Sequence, residues 1–124
     1  MYKYVLSFIL LIGLVAPTDL SFAEKNFTKL DKLASYIKTH SNNNELVSYH
    51  IASAILHSGG DVKTLTAIGR VESSFSPSAY GDSGASRGIF QIQERLHGSM
   101  GKSVYTQAAK AASILSEVKL IRRY

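Results

Sequence analysis

Glu72 is the residue of this chain best placed to do chemistry. It stands in Val71-Glu72-Ser73-Ser74-Phe75-Ser76-Pro77, and Leu65, Ile68 and Glu72 recur at i, i+3 and i+7 of a segment with helical periodicity. That spacing predicts a carboxylate on the apolar face of a helix, close to the helix C-terminus. A carboxyl group so placed is either paired with a cation or has its charge disfavoured by desolvation. Desolvation would raise its pKa towards neutrality, which is what a general acid working near pH 7 needs. Pairing would make Glu72 structural, with Arg87 or Arg70 as its partner. The only other carboxylate nearby in sequence is Asp82, in a stretch rich in Ser and Gly.

Other constellations carry less. Gly81-Asp82-Ser83-Gly84 has the residue types of a protease nucleophile turn. That chemistry needs a His and an Asp arranged around the Ser by a two-barrel β fold. A short chain of helical character does not provide one, so a tight turn is expected. His50 and His57 are seven apart, whereas a helical metal pair uses i, i+4 and a further ligand. They read as one partly exposed helix face. Neither a P-loop nor a dinucleotide fingerprint occurs, and no cofactor or metal is expected. The seven tyrosines are scattered, as suits packing or stacking on sugars.

The elements that must position Glu72 can be read from apolar spacing and caps. Phe27, Leu30, Leu33, Ala34 and Ile37 mark a first helix, with Asn26 as its expected N-cap. A polar run at 40–44 ends it, and Asn44 can cap a second helix with Val47, Ile51, Ala54 and Ile55 on one face. Ser58-Gly59-Gly60 closes that helix, since glycine accepts a left-handed turn without strain. Asp61 is the expected cap of the helix that carries Glu72. Residues 73–88 read as a long loop of the kind that often carries function. A short apolar return, Ile89-Phe90-Gln91-Ile92, follows, and residues 96–102 read as another turn. A last helix from about Ser103 presents Val104, Ala108, Ala111, Leu115 and Val118 on one face. No strand alternation of useful length occurs, so the fold class is all-α, with a small β turn inside the long loop.

Two segments resemble a known family. Residues 72–77 are similar to the E-S-S-F-x-P signature of lytic transglycosylases. Arg87-Gly88-Ile89-Phe90-Gln91-Ile92, with Ile89 twelve residues after Pro77, resembles the family's G-L-M-Q-I segment, with Ile and Phe in place of Leu and Met. The resemblance covers residues 65–96 well. It extends loosely to the last helix through Gln107, Ala108, Ala111, Ala112, Ile114 and Leu115. It implies a lysozyme-like helical domain of the goose-type and transglycosylase kind, acting on peptidoglycan glycan strands. Glu72 would be the single acid/base. It would protonate the leaving oxygen between N-acetylmuramic acid and N-acetylglucosamine, then take the proton of the sugar's C6 hydroxyl as that oxygen closes a 1,6-anhydro ring. By the same resemblance Ser73 would bond substrate or orient Glu72. Gln91 would contact the glycan, or else brace the loop. Gly88, Ile89 and Phe90 would line the cleft, with core packing an equal expectation for Phe90. The family's further Tyr-Asn segment has no counterpart here, and Tyr105 and Tyr124 lack its flanking residues. A domain shortened at its C-terminus is therefore expected.

The chain of 124 residues accommodates one small domain. Its start has the layout of an export signal. Lys3 precedes an apolar run at 5–15, too short for the roughly 20 residues of a membrane span. Pro17 follows, and Ser21-Phe22-Ala23 offers a cleavage site. Residues 1–23 are expected to be a signal peptide and 24–124 the domain, exported to the periplasm or beyond, with membrane contact only through the signal. The net charge of +5 favours anionic surfaces. Export argues against nucleic acid as the partner. Without cysteine, stability must come from helix packing. Three other readings stay open: a wall-binding remnant without activity or completed by a partner chain, a hydrolysing goose-type lysozyme, and a helical accessory of an envelope secretion or conjugation apparatus.

Overall fold

The computed structural model describes the backbone of residues 17–122 and the side chains of residues 27–119. The apolar run at 5–15 and Tyr124 lie outside the described residues. The elements run α1 (Pro17–Thr39), α2 (Glu45–His57), α3 (Val62–Ser73), β1 (Tyr80–Gly81), a 3-10 turn (Asp82–Gly84), β2 (Ser86–Arg87), α4 (Glu94–His97) and α5 (Val104–Arg122). The fold is mostly helical, as expected.

Local sequence explains most helix ends. Asn44 caps α2 by accepting from the Val47 N–H at 2.8 Å, and Asp61 caps α3 by accepting from the Thr64 N–H at 3.0 Å. Ser58 ends α2, and Gly59 follows at φ +83°. The start of α1 differs from expectation. The helix already runs at Pro17, the first described residue, so Asn26 is interior to it rather than its cap.

The central helix is α2, packed between α1 and α5. Ile51, Ala52, Ala54 and Ile55 are buried there, facing Ala34 and Ile37 of α1 and Ala108, Ala111 and Ala112 of α5. The alanines let helices approach closely. A Cβ on Gly60, in the α2–α3 turn, would sit 2.8 Å from the Ala112 Cβ. Val118 ends the predicted α5 face but is 41% exposed, so the packed stripe stops about one turn earlier.

The long loop folds back on itself. Tyr80 pairs with Arg87 and Gly81 with Ser86, making the small antiparallel hairpin, and Arg87 bridges Ile92. Residues 94–97, partly assigned to a turn from sequence, form the short helix α4. Glu94 secures it by accepting from the Met100 N–H at 3.0 Å and from Arg87 Nε at 2.6 Å.

Candidate active site

The Glu72-bearing end of α3 is a sharp, braced turn. Ser74 (φ 50°) and Phe75 (φ 60°) are consecutive non-glycine residues in the left-handed region, an arrangement that costs about 1–3 kcal/mol per residue and needs compensation. Four contacts compensate it. The Ser74 and Phe75 N–H groups donate to the Arg70 and Gly69 carbonyls at 3.1 and 3.0 Å. The Phe75 ring is fully buried, edge-on to Tyr36. Asn43 Nδ2 donates to the Phe75 carbonyl at 2.6 Å. Gly69 is part of the same fit, for a Cβ there would meet the Phe75 ring at 3.0 Å and Ile89 at 3.2 Å.

Residues 88–91 are fastened to this turn and to α5. Ser73 Oγ donates to the Ile89 carbonyl at 2.6 Å and accepts from the Ser76 N–H at 3.0 Å. The Gly88 N–H donates to the Ala79 carbonyl at 2.8 Å. Gln107, fully buried on α5, accepts from the Ile89 N–H at 2.8 Å and donates from Nε2 to the Pro77 carbonyl at 3.2 Å. Gly88 has φ +82°, and a Cβ there would come within 2.3 Å of Gln107 Oε1, so both backbone and space require glycine.

Glu72 itself is exposed. Its predicted burial on the Leu65/Ile68 stripe is therefore corrected. Helical spacing fixes which residues share a face but not how far the covering layer extends. Leu65 is buried beside the α2–α3 turn, and Gly69 lies against Phe75 and Ile89. One step further the chain turns away, carrying Phe75 inward and leaving Glu72 outside. The carboxylate has no protein partner among the described residues. The two cations considered for it are engaged elsewhere: Arg87 with Glu94 at 2.6 Å, and Arg70 Nη1 with the Tyr36 hydroxyl at 2.7 Å.

The neighbours also part from expectation. Ile89 is fully buried and Phe90 is 6% exposed, so both pack in the core, which for Phe90 was one of the two expectations. The short return is anchored on both sides, and that forces its apolar side chains inward. Ser73 acts as a brace. Gln91, at φ 50°, donates from Nε2 to the Gly88 and Ala79 carbonyls at 3.0 and 3.3 Å, which is the loop-bracing alternative. Its Oε1 faces the Gly81 backbone so closely that a Cβ there would approach to 2.3 Å. Asp82 is tied to the Ser86 hydroxyl inside the hairpin turn. His50 and His57 are exposed on α2. No group of three or more His, Asp or Glu with metal-site geometry occurs among the described residues.

Sequence reading missed Gln107 and Asn43 as parts of this assembly. Gln107 shares a helix face with Val104, Ala108 and Ala111, and a polar residue on an apolar stripe was the available signal. Asn43 sits in a polar turn where nothing marks a partner 32 positions away.

A Glu-Ser-Ser-Phe turn is thus locked to a Gly-Ile-Phe-Gln strip. The family model described as transglycosylase SLT domain matches residues 49–116, from α2 through most of α5. The chain belongs to the transglycosylase SLT family. No curated protein and no solved structure matches it. As an SLT domain it is lysozyme-like, and the family's activity is of the peptidoglycan lytic transglycosylase type. The matched span includes Glu72, the 88–91 strip and Gln107. α1 lies outside it.

Proposed function

We propose that this SLT domain cleaves the β-1,4 bond between N-acetylmuramic acid and N-acetylglucosamine with Glu72 as its single acid/base, leaving 1,6-anhydro ends. The observation that carries this reading is the place of Glu72 within the SLT match, on a strongly braced turn at a helix end and with its carboxylate unpaired among the described residues. Such a group is free to meet a substrate, and its backbone is held in place without using the carboxylate. Protonated Glu72 gives its proton to the leaving glycosidic oxygen as the bond to C1 breaks. The resulting carboxylate accepts the proton of the C6 hydroxyl as that oxygen bonds C1, so no water enters the product. Asp82, the other carboxylate near Glu72 in sequence, is already bonded to the Ser86 hydroxyl, which favours this route over the two-carboxylate scheme of most glycosidases. A glycan laid across the end of α3 would itself exclude water from Glu72, giving in the complex the desolvation that a general acid needs.

Glu72→Gln tests the reading, since it keeps size and hydrogen bonding but removes the titratable proton. Purified peptidoglycan incubated with the wild type should release anhydro-muropeptides, and the variant should lose about two to four orders of magnitude in rate. Equal cleavage by both would remove Glu72 from the mechanism. Products heavier by one water would make the chain a hydrolase.

The openness of Glu72 favours one second reading, a domain that binds wall without cutting it. Retained pull-down on insoluble peptidoglycan with no product from the wild type would establish that alternative. In either case the protein is proposed to act outside the cytoplasm after removal of residues 1–23. N-terminal sequencing of exported protein should then begin at Glu24.

A further inference from the structure

A groove of about 600 Å³ runs between α1 and α3, on surface that the Glu72 chemistry does not use. Its walls are mostly apolar, with Leu33, Leu56 and Val62 contributing side chains that are only half-buried. Lys29, Lys32 and Lys63 border it, and among the described residues none of its lining is acidic, the nearby Asp61 being engaged as the α3 cap. The lining also includes Thr66, whose hydroxyl oxygen is buried without a hydrogen-bond partner among the described residues. The Tyr36 hydroxyl, the other uncharged polar group there, is already bonded to Arg70.

We propose that this groove binds an anionic phospholipid, with the lysines on the phosphate and the apolar walls against the acyl chain. Each part of the groove asks for a different part of the ligand. Three ammonium groups around an uncharged floor complement a concentrated negative charge. Lysine stems can lie along apolar surface while their heads reach a phosphate at the rim. The floor offers almost no hydrogen-bond partners, so a hydroxyl- and amide-rich glycan would lose its hydration there without replacement. An acyl chain loses nothing, and the volume lies within the range of small-molecule sites. α3 forms one wall and carries Glu72 at its far end, about 8–15 Å along the helix from the groove residues at 1.5 Å per residue, so a lipid held here would tether the end that carries Glu72. The groove would thus give the protein a membrane contact that persists after residues 1–23 are removed.

The test uses the purified protein and a short-chain phosphatidylglycerol below its micelle concentration, so that single lipid molecules and no bilayer meet the groove. Binding is followed by calorimetry and by NMR of Tyr36. Short-chain phosphatidylcholine and glycerol phosphate are the comparison ligands. Phosphatidylglycerol should bind and shift Tyr36, with both comparison ligands about tenfold weaker or more. Joint replacement of Lys29, Lys32 and Lys63 by Gln should weaken binding about tenfold or more. Ala67→Glu, which sets a negative charge on an exposed position of the groove wall, should abolish it. Replacing Lys38, Lys102 and Lys119 by Gln removes the same charge elsewhere and should leave binding within about twofold. Glu72→Gln should bind lipid as the wild type does, which separates this proposal from the catalytic one. Equal affinity for the two phospholipids, equal affinity for glycerol phosphate, an equal loss in the control triple variant, or self-association that protects Tyr36 without lipid would each overturn it.

Discussion

Gln107 is a buried polar side chain whose two hydrogen bonds join three separate parts of the chain. Its carbonyl oxygen receives the Ile89 N–H, and its amide donates to Pro77. The residues that follow Glu72 and the strip opposite them are therefore held by one side chain from α5. Gln107→Ala leaves a buried donor and a buried acceptor unmatched, which should cost about 2–4 kcal/mol. A domain of this size has roughly 5–10 kcal/mol in all, so the urea midpoint should fall markedly. A shift of only a few tenths of a kcal/mol would show that water substitutes for the amide. Glu72 differs in kind, because nothing in the described fold depends on its carboxylate. Glu72→Gln should leave the same urea midpoint nearly unchanged, within about 0.5 kcal/mol, while its effect on cleavage is large. That contrast, one residue carrying structure and the other carrying chemistry, is measurable on a single pair of variants.

Among the elements, α3 shows how tertiary fit overrides local preference. Gly69 lies inside the helix, where alanine is intrinsically better by about 1 kcal/mol. A Cβ at that site would press on the Phe75 ring at 3.0 Å and on Ile89 at 3.2 Å. Both neighbours are fully buried and cannot step aside into solvent. Gly69→Ala should therefore destabilise the fold by about 1–3 kcal/mol despite its better propensity, and a rise in melting temperature would contradict this packing. The same distinction separates what the sequence made legible from what it did not. Asn44 and Asp61 could be read as caps because a cap bonds residues two or three positions away. The faces of α2 and α5 could be read because helical period is local. The Glu72 turn and its opposing strip could be located by motif. The inward direction of Ile89, the bracing bonds of Ser73 and Gln91, and the Gln107 clamp depend on which segments meet. Spacing carries no information about that. Glu72 was misjudged for the same reason: its face was legible, but the point where the covering layer ends was set by the left-handed turn at Ser74 and Phe75.

For the molecule as a whole, cohesion without cysteine rests on one alanine-lined helix core and a few polar ties around it. The tie at Glu94 is the one most open to pH. Arg87 donates to Glu94 and also, through Nη2, to the Gly101 carbonyl at 2.6 Å, while the Met100 N–H donates to the second carboxylate oxygen. This closes the segment between β2 and α5 and seats Met100, 5% exposed, in the core. The Arg87 guanidinium, and then the Met100 N–H, hold the Glu94 carboxyl below the ordinary glutamate value of 4.5. The Asp61 cap is likewise lowered, first by the Thr64 hydroxyl and then by the Thr64 N–H. A carboxyl group whose pKa is depressed by folding contributes stability that is present above its unfolded value and lost as pH falls through its folded value. The chain carries a net charge of +5 at pH 7, so each carboxylate neutralised by acid adds to an existing self-repulsion. Melting temperature should therefore hold level from neutrality to about pH 5 and decline below it. Glu94→Gln should melt lower than the wild type at pH 7 and show a shallower decline in acid, so that the two curves converge at low pH. Parallel curves, with the gap unchanged down to low pH, would mean that the charge of Glu94 contributes nothing and that its place in the fold rests on packing alone.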